Sequence, residues 1–269
     1  MDKQVTDFNI RLRTIKIREL IVGIIISIII SAILMGFFPV LYDDDDLFFI
    51  VFLSALFLFF IWCLRDTTGL AKNFENLFLK ENRNEILYMF VLNIIFAFLY
   101  LFLVVVLDFA LGMVDPTWVT GLDIDSVDLA PSRFLLSCIT TIFFAPVMEE
   151  LMFRGILFNR LKIRIGIIPA MLISSFIFGI GHDFGGITSA FLFGMCMCIL
   201  YLKTDNILIP ISVHFINNLV ATLFEIINVD AFLIEFPWVI FLGILVFVST
   251  VLLIKYIIDE TSTLKKVYS

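Results

Sequence analysis

The stretch APVMEELMFRG, residues 145–155, sets Glu149, Glu150 and Arg154 inside a run from 132 to 159 that is otherwise mostly apolar. Each such charge costs about 2.5–3.5 kcal/mol at the centre of a bilayer even on the mildest insertion scale. Charges that close together in a membrane span need partners, a task, or both.

Outward from this stretch, the rest of the chain is membrane-like. Of its 269 residues, 61% are hydrophobic and 16% charged, with a mean hydropathy of +1.10. A soluble domain holds about 45–50% apolar residues, so an ordinary soluble fold is excluded. The expected fold class is all-α, a polytopic membrane helical bundle. Runs of about 17–25 residues suffice to cross ~30 Å of hydrocarbon. They fall at 19–42, 47–64, 86–107, 132–159, 166–183, 185–203, 207–229 and 233–257, which predicts about eight transmembrane helices.

Basic residues are retained on the cytoplasmic side, and here every second connection is basic. The N-terminal tail carries Lys3, Arg11, Arg13, Lys16 and Arg18, the second connection Arg65, Lys72, Lys80 and Arg83, and the fourth Arg160, Lys162 and Arg164. Lys203, Lys255, Lys265 and Lys266 continue the alternation, while Asp43 to Asp46, the acidic run from Asp108 to Asp128, Asp183, Asp230 and Glu235 occupy the other side, with Arg133 as their only basic neighbour. Both termini are therefore predicted to be cytoplasmic. The first span lacks a small-residue cleavage site and reads as a retained anchor rather than a signal peptide. Residues 69–81 space Leu70, Phe74, Leu77 and Phe78 on one face, the pattern of an interfacial helix.

The net charge of −7 is spread unevenly, and no basic face for nucleic acid is visible. Cys63, Cys138, Cys196 and Cys198 lie in apolar segments without metal-site or disulfide spacing and read as small buried hydrophobes. No internal repeat or linker divides the chain, so residues 1–269 read as a single membrane domain. Its N-terminal helices span 19–131, the polar-bearing helices 132–229, and the last helix 233–257.

The polar residues at membrane depth cluster in the second half: Glu149, Glu150, Arg154, His182, His214, Asn217, Asn218 and Glu225. Glu150 and Arg154 are four apart and can pair on one helical face. Glu149 is rotated by about 100° and faces elsewhere. Pro146 removes a backbone donor one turn earlier and predicts a kink. At ~1.5 Å per residue, Glu149 lies ~15 Å from the basic end, His214 ~10 Å and Asn218 ~16 Å. His182 fits this layer less well, at ~24 Å, which requires the fifth helix to be tilted or to start deeper. Asn217 points off the His214–Asn218 face, and Glu225 near the outer end reads as structural or solvated.

A carboxylate shielded from bulk water is an effective general base. With an imidazole it can deprotonate a water, while a second imidazole and a carboxamide can donate to the oxyanion of a tetrahedral intermediate. This kit suits amide hydrolysis. The same groups can instead hold a bundle together through interhelical hydrogen bonds.

EELMFRG resembles the EExxxR motif of the CPBP family of intramembrane proteases, also called Abi, which includes CAAX prenyl proteases and proteins of bacteriocin processing and self-immunity. FGIGH, residues 178–182, is similar to its FxxxH motif, and HFINN, residues 214–218, to its third. The three occur in the family's order between Glu149 and Asn218. The resemblance implies that Glu149 and His182 activate water and that His214 and Asn218 form the oxyanion site. It also implies that Glu150 and Arg154 shape the site, that Phe178 packs beside it, and that neither metal nor cofactor is needed. The implied enzyme is a glutamate-type endopeptidase of a bacterial plasma membrane, working in the lipid bilayer on a membrane-associated peptide or protein. Two other functions compete: a non-proteolytic immunity or regulatory membrane protein, and a proton-coupled transporter, which the absence of repeats disfavours.

Overall fold

The computed structural model describes residues 6–41, 45–115 and 131–268. The protein is an all-α polytopic bundle, an arrangement that lets helices satisfy most of their own backbone groups in hydrocarbon. Among the described residues, seven helices are long and apolar enough to cross a membrane: Ile17–Phe37, Leu47–Leu64, Arg83–Val114, Phe134–Ile165, Phe184–Thr204, Leu208–Ile226 and Trp238–Lys266.

The expected span at 166–183 is shorter than the other seven. It forms α10, Ile167–Ile180, with 14 residues, or ~21 Å of rise against ~30 Å of hydrocarbon. Gly166, at φ +83°, separates it from α9 (Asn159–Ile165), and Gly181 caps its far end. The helix is held against α11 (Ile187–Thr204) by close backbone approach: a Cβ on Gly179 would lie 3.0 Å from the Ile187 carbonyl, and one on Gly194 would lie 2.9 Å from Ser175 Cβ. The middle of α11, from Phe193 to Leu202, is buried throughout and forms the centre of the bundle. Cys196 and Cys198 lie in this run, and all four cysteines are free.

The N-terminal helices α1 (Phe8–Thr14), α2 (Ile17–Phe37) and α3 (Asp45–Leu64) flank the core. Asp7 caps α1 by accepting from the amides of Asn9 and Ile10. Leu12 of α1 fills a notch at Gly155, where a Cβ would come within 2.7 Å of the leucine. Much of the basic charge at this end is tied internally. Arg13 pairs with Asp205 and donates to Tyr201 Oη at 3.1 Å. Arg160 donates to the Ile15 carbonyl at 2.7 Å, and Lys203 bridges Glu85 at 2.7 Å and Glu260 at 3.1 Å.

The interfacial segment expected at 69–81 is two short helical pieces, α4 (Leu70–Glu75) and a 3-10 turn Asn76–Phe78, leading into α5 (Lys80–Ala97) and α6 (Leu99–Val114). The chain then continues through α7 (Pro131–Ile139) and α8 (Ala145–Glu150) to α9. After α11 come α12 (Leu208–Ile226), α13 (Val229–Leu233) and α14 (Trp238–Tyr268). Asp43, Asp44 and most of the acidic run from Asp108 to Asp128 lie outside the described residues.

Candidate active site

The rod from 131 to 165 is not a uniform α-helix. Thr140–Phe144 and Leu151–Phe158 are π-helical, flanking α8 on either side. In the first π segment the Ala145 amide bonds the Thr140 carbonyl, five residues back. The next bond of that register would run from residue 146 to the Thr141 carbonyl, but Pro146 has no N–H to give. Asn218 Nδ2 of α12 donates to that carbonyl instead, at 2.9 Å. Where Pro146 suggests a kink, the chain thus widens the helix and borrows a donor from a neighbour. In the second segment Asn159 Nδ2 does the same work, donating to the Arg154 and Gly155 carbonyls at 2.9 Å each. Such π insertions recur at functional sites.

Between the two π segments stand the paired carboxylates. Glu150 and Arg154 are fully buried and bonded at 2.9 Å, Arg154 Nη1 donating to Glu150 Oε1. The same Oε1 accepts from His214 Nδ1, also at 2.9 Å. A carboxylate only accepts, so Nδ1 carries the hydrogen and Nε2 is turned toward Glu149, 3.8 Å from its Oε2. That distance is in ion-pair range but too long for a hydrogen bond, and Glu149 Oε2 has no other partner. Glu149 and Glu150 thus address opposite nitrogens of one imidazole.

His182 lies just past the end of α10. Its Nδ1 is 2.9 Å from the Phe178 carbonyl, which fixes the hydrogen on Nδ1 and leaves Nε2 as an acceptor. Phe178 connects the groups: its buried ring lies 4.7 Å from the His182 ring and 5.8 Å from that of His214, with the Arg154 guanidinium 4.3 Å above it. The depth mismatch estimated for His182 is bridged by this ring, because the short α10 brings the histidine into the site from its end.

A cavity of about 120 Å³ opens on these groups, with His182, His214, Asn217, Asn218, Asn93 and Ser189 as its polar lining. Asn217 therefore shares the cavity although its helical position points it off the His214–Asn218 face. Asn93 and Ser189 were not among the candidates. Asn93 is a single carboxamide in the third apolar run, which could have marked it, whereas Ser189 carries no distinguishing signal. Toward the acidic end lies a wider vestibule of about 680 Å³, sharing Ala97, Gly186 and Ser189 with the cavity and bordered by Glu225, Asn228 and Asp230. Burial holds the Asp230 carboxyl above its ordinary range. Among the described residues, no group of three His, Cys, Asp or Glu side chains is disposed to hold a metal ion.

Residues 131–220 match the family model described as type II CAAX prenyl endopeptidase Rce1-like. This segment is similar to the Rce1-like family. It holds both glutamates, both histidines, Arg154, Phe178 and Asn218, so the match and the buried polar cluster coincide. Two curated relatives are similar to the chain. The putative membrane peptidase YdiL of Bacillus subtilis (strain 168) is 31% identical over 104 residues, 38% of this chain and 41% of the relative. The membrane-embedded CAAX protease MroQ of Staphylococcus aureus (strain USA300) is 34% identical over 93 residues, 32% of this chain and 38% of the relative. The chain thus spans about two fifths of the length of the curated relatives it matches. No solved structure matches significantly. Helix α5, whose Asn93 and Ala97 complete the cavity wall, lies outside the matched segment.

Proposed function

We propose that the protein is an intramembrane endopeptidase of bacterial plasma membranes that hydrolyses a peptide bond of a membrane-associated protein or peptide, its basic end facing the cytoplasm. The observation that carries this reading is the bracketing of His214 by Glu150 at 2.9 Å and Glu149 at 3.8 Å, beside a cavity that His214 lines together with His182 and Asn218.

In this mechanism Glu149 Oε2 takes a proton from a water that also donates to His182 Nε2. The resulting hydroxide adds to the substrate carbonyl carbon, and the carbonyl electron pair moves to oxygen. That oxyanion receives the second N–H of Asn218, whose first is spent on Thr141, and Nε2–H of His214 when both ring nitrogens are protonated. The tetrahedral species collapses, the C–N bond breaks, and the proton held by Glu149 passes to the departing amine. Glu150 acts as a positioning residue, because it fixes the His214 ring and is itself fixed by Arg154. No step calls on a metal, because Glu149 supplies the base. The Rce1-like match and the two peptidase relatives support the reaction class.

Comparing the peptides in membranes of cells that express wild type, Glu149→Gln, His182→Ala or no protein tests the proposal. Fragments that require wild type and vanish in both variants are expected. If correctly inserted Glu149→Gln keeps the full cellular function, that function is binding, as in an immunity or regulatory protein of the same fold.

A further inference from the structure

Helix α5 contributes to a second cavity as well as to the polar one. A groove of about 690 Å³, lined almost wholly by apolar side chains, lies between α5, α12 and the 140–150 stretch, with Phe90, Phe143, Val147, Ile211 and Phe215 on its walls and Arg83 at one end. The lining runs in register along both helices. On α5, Ile86 and Phe90 of the groove lead to Asn93 and Ala97 of the polar cavity, and on α12, Ile211 and Phe215 lead to Asn218. Spacings of three and four keep each series on one helical face. Groove and cavity therefore follow one another along the same faces of α5 and α12.

Asn93 stands at the junction. It is 4% exposed, its Nδ2 donates to the Met89 carbonyl at 2.8 Å, and its Oδ1 has no hydrogen-bond partner. Behind it, Ser249 of α14 donates to the Leu92 carbonyl at 2.6 Å and anchors this turn of α5. A buried acceptor without a donor is costly, and a peptide strand drawn into a dry seam brings amide hydrogens with the complementary need.

We propose that α5 is the substrate wall of the site: Asn93 Oδ1 accepts a backbone N–H of an extended substrate strand beside the scissile bond, and the groove seats large apolar side chains on the basic-end side of that bond. The inference rests on the peptidase reading and names its substrate class, an apolar stretch of polypeptide threaded along α5 and α12. The alignment of groove and polar cavity along the same faces of α5 and α12 favours a peptide over a lipid tail, which would have no use for the acceptor between them.

The test uses protein in phosphatidylglycerol-containing liposomes and a randomised library of synthetic peptides, with cleavage positions read by mass spectrometry. Wild type is expected to require large apolar residues on one side of the cut. Ser212→Trp, which fills the groove, shifts that preference to small residues, and Phe90→Ala, which enlarges it, shifts it toward bulkier ones. Asn93→Leu lowers kcat/KM by about tenfold for unmodified peptides. For peptides N-methylated next to the cut, which are already poor substrates of wild type, the same substitution costs nothing further. Cleavage by wild type with a residue preference unmoved by both groove variants, or an Asn93→Leu penalty that adds in full to that of N-methylation, overturns the inference while leaving the peptidase reading intact. No cleavage of any peptide by wild type overturns both.

Discussion

The Asn218 carboxamide of α12 donates to the Thr141 carbonyl at 2.9 Å, across the gap that Pro146 opens in the hydrogen-bond ladder of the neighbouring helix. This bond joins a π-helical distortion to a residue of the proposed oxyanion site, so its structural and chemical parts are separable. Asn218→Ala removes both, at a cost of about 0.5–1.5 kcal/mol for the lost bond. Pro146→Ala returns an N–H to the helix. The double variant Pro146→Ala/Asn218→Ala is expected to regain most of the lost stability in denaturant unfolding but none of the lost cleavage.

Glu150 and Arg154 make a buried pair whose members are unequal in what they leave behind. Arg154→Met strands a carboxylate that keeps only His214 as its partner, and breaking a buried pair this way costs about 3–5 kcal/mol. Glu150→Gln/Arg154→Met has no charge to strand and retains an amide oxygen for His214 Nδ1. Unfolding of the two variants in detergent is expected to rank the double one as the more stable. Equal or reversed stabilities would mean that Arg154 is not there to neutralise Glu150.

Cleavage is expected to survive prolonged treatment with metal chelators, followed by gel filtration, with its rate unchanged. Loss of activity that Zn²⁺ restores would transfer the task of activating water from Glu149 to a metal.

The membrane class, the helical bundle and the positions of its spans were legible because apolar runs of spanning length admit few other structures. The Glu150–Arg154 pair was legible too, since helical spacing of four is a local property. What was not legible arises between helices. Nothing in residues 145–155 reveals that Glu150 also holds His214, because that bond spans a separation set by tertiary packing. The π segments depend on Asn218 and Asn159 finding carbonyls that only the widened helix exposes. The fifth span reads as a crossing by hydropathy, yet Gly166 and Gly181 cut it to 14 residues and thereby deliver His182 to the site. Asn93 has no polar residue three or four positions away in its run, so only the packing of α5 beside α12 reveals its place on the cavity wall.

In the proposed mechanism Glu149 is the base that activates water. Its most direct test is the single-turnover rate of peptide cleavage by purified protein in liposomes, wild type against Glu149→Gln, with matched insertion and unfolding midpoints. Loss of a general base predicts a fall of about 10²–10⁴-fold for Glu149→Gln, with peptide binding retained. A Glu149→Gln protein that cleaves at the wild-type rate would contradict the account.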